Sequence, residues 1–431
     1  MGITVEIAVL RLFCAKFACY LWVLFAIAVP VSTALTNIFG VLAAIFSVLS
    51  IDRHSLKLFF RNRIIQVTLV LWLFLTVSIA WSIADTPDIL EGWGKYRKLL
   101  YPFLILVAAK SAKFDSEKAL KFFAWAAALS AVLSVGVEFK IPYLSDFLKE
   151  LFPEKIHGSG NPTIFFSYIT QGVFLSVASL ILMCVGMVQL SRFPRAVYLL
   201  TSVVCAFVVV WLLPGFTGLF MLGMGAIVFS LLLVKRNLTN IYIIASLLVP
   251  LIVAWNVFTP NVFARGSLTT SVITHFSFGE LNSPGVRLQQ WKVAFRGFFD
   301  APIVGNGVGS FGRITEEYAS DAMQRFGKQL HPHSEYLNLA VQGGIVGVAL
   351  WIMLGYFSIR RGAEVLSAGC FWQGALMISL VFMFATGALF NSFMWDSAHG
   401  HLAVLILAFL ATEAKLKSAI ETAAGKSNAF Q

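Results

Sequence analysis

The feature that most constrains this chain is the recurrence of apolar stretches long enough to cross a bilayer. They lie near residues 12–30, 35–50, 64–82, 99–112, 119–136, 164–190, 197–213, 216–234, 241–259, 336–358, 370–390 and 400–416. Roughly 30 Å of hydrocarbon needs about 20 apolar helical residues, and within it backbone N–H and C=O groups must be satisfied inside the segment. The runs therefore predict helices. With 58% hydrophobic residues, 12% charged residues and a mean hydropathy of +0.82, a water-facing surface could not be made around so much apolar side chain. The expectation is an all-α polytopic membrane protein with about twelve transmembrane helices and one large external loop containing short helices. The first run lacks a small-residue cleavage site and further runs follow at once, so it is read as a first helix and not as a removed signal.

Charge sets the topology. Arg53, Lys57, Arg61 and Arg63 fall in one loop; Lys110, Lys113, Lys118 and Lys121 in another; Arg192 and Arg195, Lys235 and Arg236, and Arg360 and Arg361 in three more. These alternate loops are cytoplasmic by the positive-inside rule, as are both termini. The formal charge of +11 is thus spread over short clusters between apolar runs, which fits anionic lipid and argues against nucleic acid. Cys14, Cys19, Cys184, Cys205 and Cys370 lie in or beside apolar runs without metal-site spacing, and read as small core residues. The chain then divides into nine helices over residues 1–259, a large loop over 260–335, three helices over 336–416 and a cytoplasmic tail over 417–431.

The long loop is the first place to look for chemistry, because structureless loops of such length are uncommon unless functional. Ser283-Pro284 signals a helix start inside it. Leu288, Trp291, Phe295, Phe298 and Phe299 follow at helical spacing, which predicts a segment lying along the membrane surface or packed on neighbouring spans. Six histidines, His157, His275, His331, His333, His399 and His401, fall in segments expected outside, whereas the spans themselves are nearly free of ionisable residues. Lys95, Arg97 and Lys98 break the charge rule by lying outside against the fourth span. A lipid diphosphate would explain cations at that depth; a snorkelling anchor on ordinary anionic lipid would too. Arg265, Arg287, Arg296, Arg313, Arg325 and Lys328 add external charge, and arginine's planar fork suits phosphate. The external segments contain no Asp-x-Asp pair, and their histidines lack the spacing of a compact zinc set.

The loop ends on His331-Pro-His-Ser-Glu-Tyr-Leu-Asn-Leu-Ala-Val-Gln-Gly-Gly-Ile-Val-Gly347. This resembles the O-antigen ligase and O-antigen polymerase superfamily, whose signature is His, then Ser or Asn, nine residues, Gly, two residues and Gly. His333, Ser334, Gly344 and Gly347 match it. Arg287-Leu-Gln-Gln-Trp291 and Asp300-Ala-Pro-Ile-Val-Gly-Asn-Gly-Val-Gly-Ser-Phe311 resemble the family's arginine–tryptophan block and its Pro-x-x-Gly-x-Gly-x-Gly stretch. These motifs cover residues 283–347. Gly344 and Gly347 read as close-packing positions between spans. Many members carry Ser-Arg near the outer start of the eighth span, where this chain has Pro214-Gly-Phe-Thr-Gly218. Arg265 or the Lys95–Lys98 cluster is left to supply that cation.

The resemblance implies a GT-C-like inner-membrane glycosyltransferase with its site on the periplasmic face. Its donor would be a glycan on undecaprenyl diphosphate, its acceptor a sugar hydroxyl of lipid A-core, and it would use no cofactor or metal. His333 is the candidate general base and Arg287 the cation that neutralises the leaving diphosphate; Arg265, Lys95, Arg97 and Lys98 are candidates to hold the donor. O-antigen polymerase is the alternative within the class. Transfer of the glycan to protein serine is a third activity of relatives, which usually carry more sequence after the last span. A lipid-linked glycan flippase is the alternative of another class; it predicts two pseudo-repeats and buried intramembrane charge, and the sequence displays neither.

Overall fold

The computed structural model describes residues 2–52, 55, 57, 60–114, 117–151, 161–235, 283–320 and 327–412. The ninth apolar run, Arg265, Arg325, His157 and His275 lie outside the described residues. Among the described residues the chain forms helices and no strands. They are α1 (Gly2–Ala28), α2 (Thr33–Leu49), α3 (Arg63–Val77), α4 (Thr86–Tyr96), α5 (Tyr101–Ser111), α6 (Glu117–Glu138), α7 (Leu144–Leu151), α8 (Tyr168–Val188), α9 (Arg192–Phe207), α10 (Phe216–Lys235), α11 (Ser283–Asp300), α12 (Phe311–Tyr318), α13 (Glu335–Ser367), α14 (Phe371–Phe390) and α15 (Ser397–Ala411). Eight of the helical segments are long and apolar enough to cross a membrane, and α2 and α15 are shorter apolar helices. The chain is a multi-pass membrane protein.

Local chemistry sets the helix starts. Ser32, Asn62, Ser167, Ser334 and Asp396 each use a side-chain oxygen to accept from a first-turn N–H, of α2, α3, α8, α13 and α15 respectively. Pro87 and Pro102 stand in the first turns of α4 and α5, where a missing N–H costs nothing. α9 loosens into a π turn over Val208–Leu212 just before Pro214.

The bundle is organised around α15, which is buried from Ala398 to Ala411 and touches α2, α3, α5, α6, α8, α13 and α14. Burial on every side explains its uniformly apolar sequence. One end of this bundle gathers the starts of α13 and α15, the end of α3, and α4, α11 and α12. The elements between α3 and α5 close that end with two short 3-10 turns, Ser78–Trp81 and Arg97–Leu100.

α11 differs from the stripe expected of it. It buries Gln290, Val293, Ala294 and Gly297, and Val293 and Ala294 pack with Phe311, Ile314 and Val341 of α12 and α13. Phe295 and Phe299 are left 52% and 72% exposed. Small residues line the inner side because α12 and α13 approach closely: a Cβ at Gly297 would meet Ile314.

Candidate active site

The glycine-rich turn between α11 and α12 builds the platform of the site. Gly305, Gly307 and Gly309 all take positive φ, 71°, 83° and 82°, a conformation open to glycine at little steric cost. They let the turn lie directly on α13 where that helix is broken. Gly344 has φ 58° and ψ −156°, outside the helical region, and the break frees backbone groups on both sides. The turn supplies partners for them: Asn306 N donates to Val341 O (2.8 Å) and Gly307 N to Gln342 O (3.0 Å). In return Ile345 N donates to Pro302 O (2.8 Å) and Val346 N to Ile303 O (3.3 Å). Gly344 is thus not a span-to-span contact, as its spacing suggested, but the place where the turn enters the helix. Gly343 and Gly347 do face another span, through Phe74 of α3.

Three further anchors fix the turn. Val308 N donates to Ser78 Oγ (3.1 Å), Ser82 Oγ to Val308 O (2.8 Å), and Trp81 Nε1 to Gly305 O (3.2 Å). A buried polar set ties it to α4 and α13: Gly309 N donates to Gln342 Oε1 (2.9 Å), Gln342 Nε2 to Asn338 Oδ1 (2.7 Å), and Asn338 Nδ2 to Tyr96 OH (2.9 Å). Lys328, bridging Asp88 and Glu316 at 2.9 Å each, binds the chain after α12 to the start of α4. Asn338 and Gln342 lie one turn apart on an apolar helix, a signal present in the sequence and missed there.

His333 stands at the end of this platform with φ 51°, one residue before Ser334 caps α13. Its ring meets that of His331 edge-on at 4.4 Å, and the His331 ring lies 6.0 Å from Trp395. Burial is the main cause that pushes the imidazoles down, His333 to about 3 and His331 to about 4, with the charge of Arg287 contributing to both. The two rings are therefore neutral near pH 7. Arg287, one turn into α11, is half-buried; desolvation lowers its own value while the nearby Tyr168 ring at the start of α8 raises it. Among the described residues it has no carboxylate within ion-pair distance. Arg287 is near enough to the two imidazoles for its charge to lower both.

The cluster at 95–98 divides. Arg97 is exposed and donates to Gly94 O and Asn37 Oδ1; Lys95 is half-buried, pairs with Glu91 at 3.2 Å and lies 6.0 Å over the Trp395 ring. Lys98 is 3% exposed and donates to Asp396 O (2.8 Å), with burial pushing it down to about 7. It does not stand at the surface as expected; a Cβ on Gly400 of α15 would meet it. All three nonetheless line one cavity of about 300 Å³ with Asn37, Glu91 and His401. Trp395 joins this cavity to the histidine pair.

Two expectations are corrected here. His399 and His401 are 2% and 1% exposed inside α15, with the His401 ring against Phe25 and Tyr101, so they are not water-facing. The expected scarcity of buried ionisable groups also fails at this end: Glu335 is fully buried, with Oε2 accepting from Met394 N (2.9 Å). The Pro214–Gly218 segment packs beside the site. Gly215 lies against Tyr168, and Gly218 against the backbone of Gly172 with Ser176 Oγ bonded to both glycine carbonyls. Close α8–α10 approach explains the glycine there.

No curated protein matches the chain. Residues 217–352 match the family profile described as O-antigen ligase. The matched residues take in Arg287, the glycine-rich turn and His333, so the part of the chain that carries the candidate site is similar to that family.

Proposed function

We propose that this glycosyltransferase acts as an O-antigen ligase of the bacterial inner membrane, moving a glycan from undecaprenyl diphosphate to a sugar hydroxyl of lipid A-core at the periplasmic face. The observation that carries the reading is the juxtaposition of a neutral, unprotonated His333 with Arg287, an arginine lacking a carboxylate partner among the described residues. A hydroxyl is a weak nucleophile near neutral pH and needs its proton accepted as the new bond forms. The acceptor oxygen attacks the anomeric carbon, its proton passes to the His333 imidazole, and the carbon–oxygen bond to the diphosphate breaks with its electron pair on the departing oxygen. Direct displacement inverts the anomeric centre. Arg287 stabilises the charge that develops on the diphosphate, aided by Lys95 and Arg97 across Trp395, with Arg265 a further candidate.

A pKa of about 3 describes the empty site. Burial is the main cause of that value and Arg287 a lesser one; a bound diphosphate offsets the field of Arg287, so the basicity of the imidazole rises when the donor is present. His331 keeps the second face of the pair neutral and holds the ring orientation through its edge-on contact.

In a purified transfer assay, His333→Asn, which tolerates the left-handed backbone, lowers the rate by about 10² to 10⁴, the range for loss of a general base; Arg287→Ala lowers it by a similar order. Unchanged transfer by inserted, folded His333→Asn protein refutes the assignment. Ligase and polymerase separate in a deletion strain. Loss of the ligase strands full-length polymer on its lipid carrier and leaves lipid A-core bare, whereas core capped with a single repeat unit identifies a polymerase.

A further inference from the structure

At the end of the bundle opposite the histidine pair lies a cavity of about 610 Å³ that glycosyl transfer does not use. α13 links the two ends: Ser334 caps one and Arg360 lies 26 residues on, at most about 39 Å away at 1.5 Å per residue given the break at Gly344. α15 runs from Ser397 in the wall of the Lys95–Lys98 cavity to Ala411 in the wall of this one.

Three separate segments converge here: Arg61 and Arg63 on either side of the Asn62 cap of α3, Lys110 and Lys113 at and just after the end of α5, and Arg360 and Arg361 on α13. The one carboxylate in the wall, Glu364, pairs with both Arg360 (3.4 Å) and Arg361 (3.2 Å). Among the described residues, no carboxylate lies within ion-pair distance of Arg61, Lys110 or Lys113. Beneath this rim of charge the wall turns apolar, with Ile64, Leu106, Phe114 and Phe357. The positive-inside rule asks for basic loops but not for their convergence on one cavity. Cations over an apolar floor at the end of membrane-crossing helices follow the order of a phospholipid, phosphate first and acyl chain next.

We infer that this cavity holds an anionic glycerophospholipid, its phosphate among Arg61, Lys110, Lys113 and Arg360 and its acyl chains along Phe114 and Phe357. The charge surplus favours a lipid with two phosphates. The test is native mass spectrometry of the full chain exchanged from mixed micelles containing diphosphatidylglycerol or phosphatidylcholine. Wild type retains diphosphatidylglycerol selectively. The triple variant Arg61→Gln, Lys110→Gln, Lys113→Gln binds it on the order of a hundredfold more weakly, and the charge-keeping variant Arg61→Lys binds it as wild type does. A triple variant with wild-type retention overturns the inference. So does equal loss in a control that neutralises Arg192, Arg195 and Lys235, since that result assigns the binding to bulk charge. Displacement of the lipid by millimolar inorganic phosphate also overturns it, because the site then reads free phosphate and not a lipid.

Discussion

Gly344→Ala tests whether the glycine-rich turn and the broken helix are one device. Two independent penalties act at this position. Backbone with φ 58° and ψ −156° lies in a region populated almost only by glycine, and a side chain there costs about 1–3 kcal/mol. The new Cβ would also fall on the carbonyl group of Ile303 and come within 2.7 Å of Gly305 N. These are backbone atoms, so no rotamer change relieves the overlap and the turn itself must lift. Lifting it breaks the four hydrogen bonds between residues 302–307 and 341–346. At a net value of about 1 kcal/mol each this is about 4 kcal/mol, or a factor of about 10³ in the undocked population.

Ser310→Cys reports that population. Ser310 is fully buried and its hydroxyl has no hydrogen-bond partner, so a thiol fits in its place. Among the native cysteines, Cys14, Cys19, Cys184 and Cys205 are buried, and Cys370→Ala removes the remaining accessible one. In this background Gly344→Ala speeds maleimide labelling at position 310 by about 10³ and abolishes transfer. Gly355→Ala, eleven residues along the same helix with nothing within 4 Å of its Cβ, leaves both unchanged or adds about 0.5–1 kcal/mol of stability. A Gly344→Ala protein whose introduced thiol at position 310 stays protected, and which transfers glycan at the wild-type rate, refutes the argument.

Two other outcomes follow from the site. In the free enzyme His333 titrates near 3 and His331 near 4, against 6.5 unfolded; the unfolded chain therefore takes up protons first, and the stability these rings contribute is complete above about pH 6.5 and falls as pH drops toward 3. The acid limb of kcat/KM lies well below 6.5 and that of kcat lies higher, because bound diphosphate raises the base; a pH–rate profile with a kcat/KM limb at 6.5 contradicts this. The cations at 95–98 separate by depth: Lys98→Gln lowers thermal stability because it loses the bond to Asp396 O inside the bundle, whereas Arg97→Gln leaves stability unchanged and raises the apparent KM for donor, as thermal denaturation and donor titration distinguish.

Much of this was legible from residues alone, for reasons that differ by element. Apolar runs mark helices because lipid allows little else, and within the described residues each expected run coincides with a helix. His333 and Arg287 are singled out by spaced motifs, whereas their placement relative to each other depends on α11 packing against α13, which no local pattern specifies. The orientation of Lys98 was not legible. Three cations within four residues look alike in sequence, and only the turn of the 3-10 segment Arg97–Leu100 decides that one points at α15 while Arg97 points outward. His399 and His401 misled because the twelfth run was counted from residue 400, whereas Asp396 caps the helix and carries both rings inside.

The break at Gly344 explains why the motif must pair a histidine with distant glycines. A helix interrupted inside a packed bundle exposes buried N–H and C=O groups that must find other partners. Here a second segment satisfies them, and its close approach depends on the glycines at 305, 307 and 309. The docking is therefore enforced by the cost of leaving those groups unpaired, not by side-chain contact alone. Once the turn is seated, α11 is held by Asn306 Nδ2 donating to Gly297 O (2.6 Å), which sets the rotation of that helix and carries Arg287 toward the histidines. On the other side, the same stretch of α13 leads back through Asn338 to Ser334 and His333. Backbone satisfaction in one place thus registers the proposed base against the proposed phosphate-binding cation, two groups 46 residues apart in the chain.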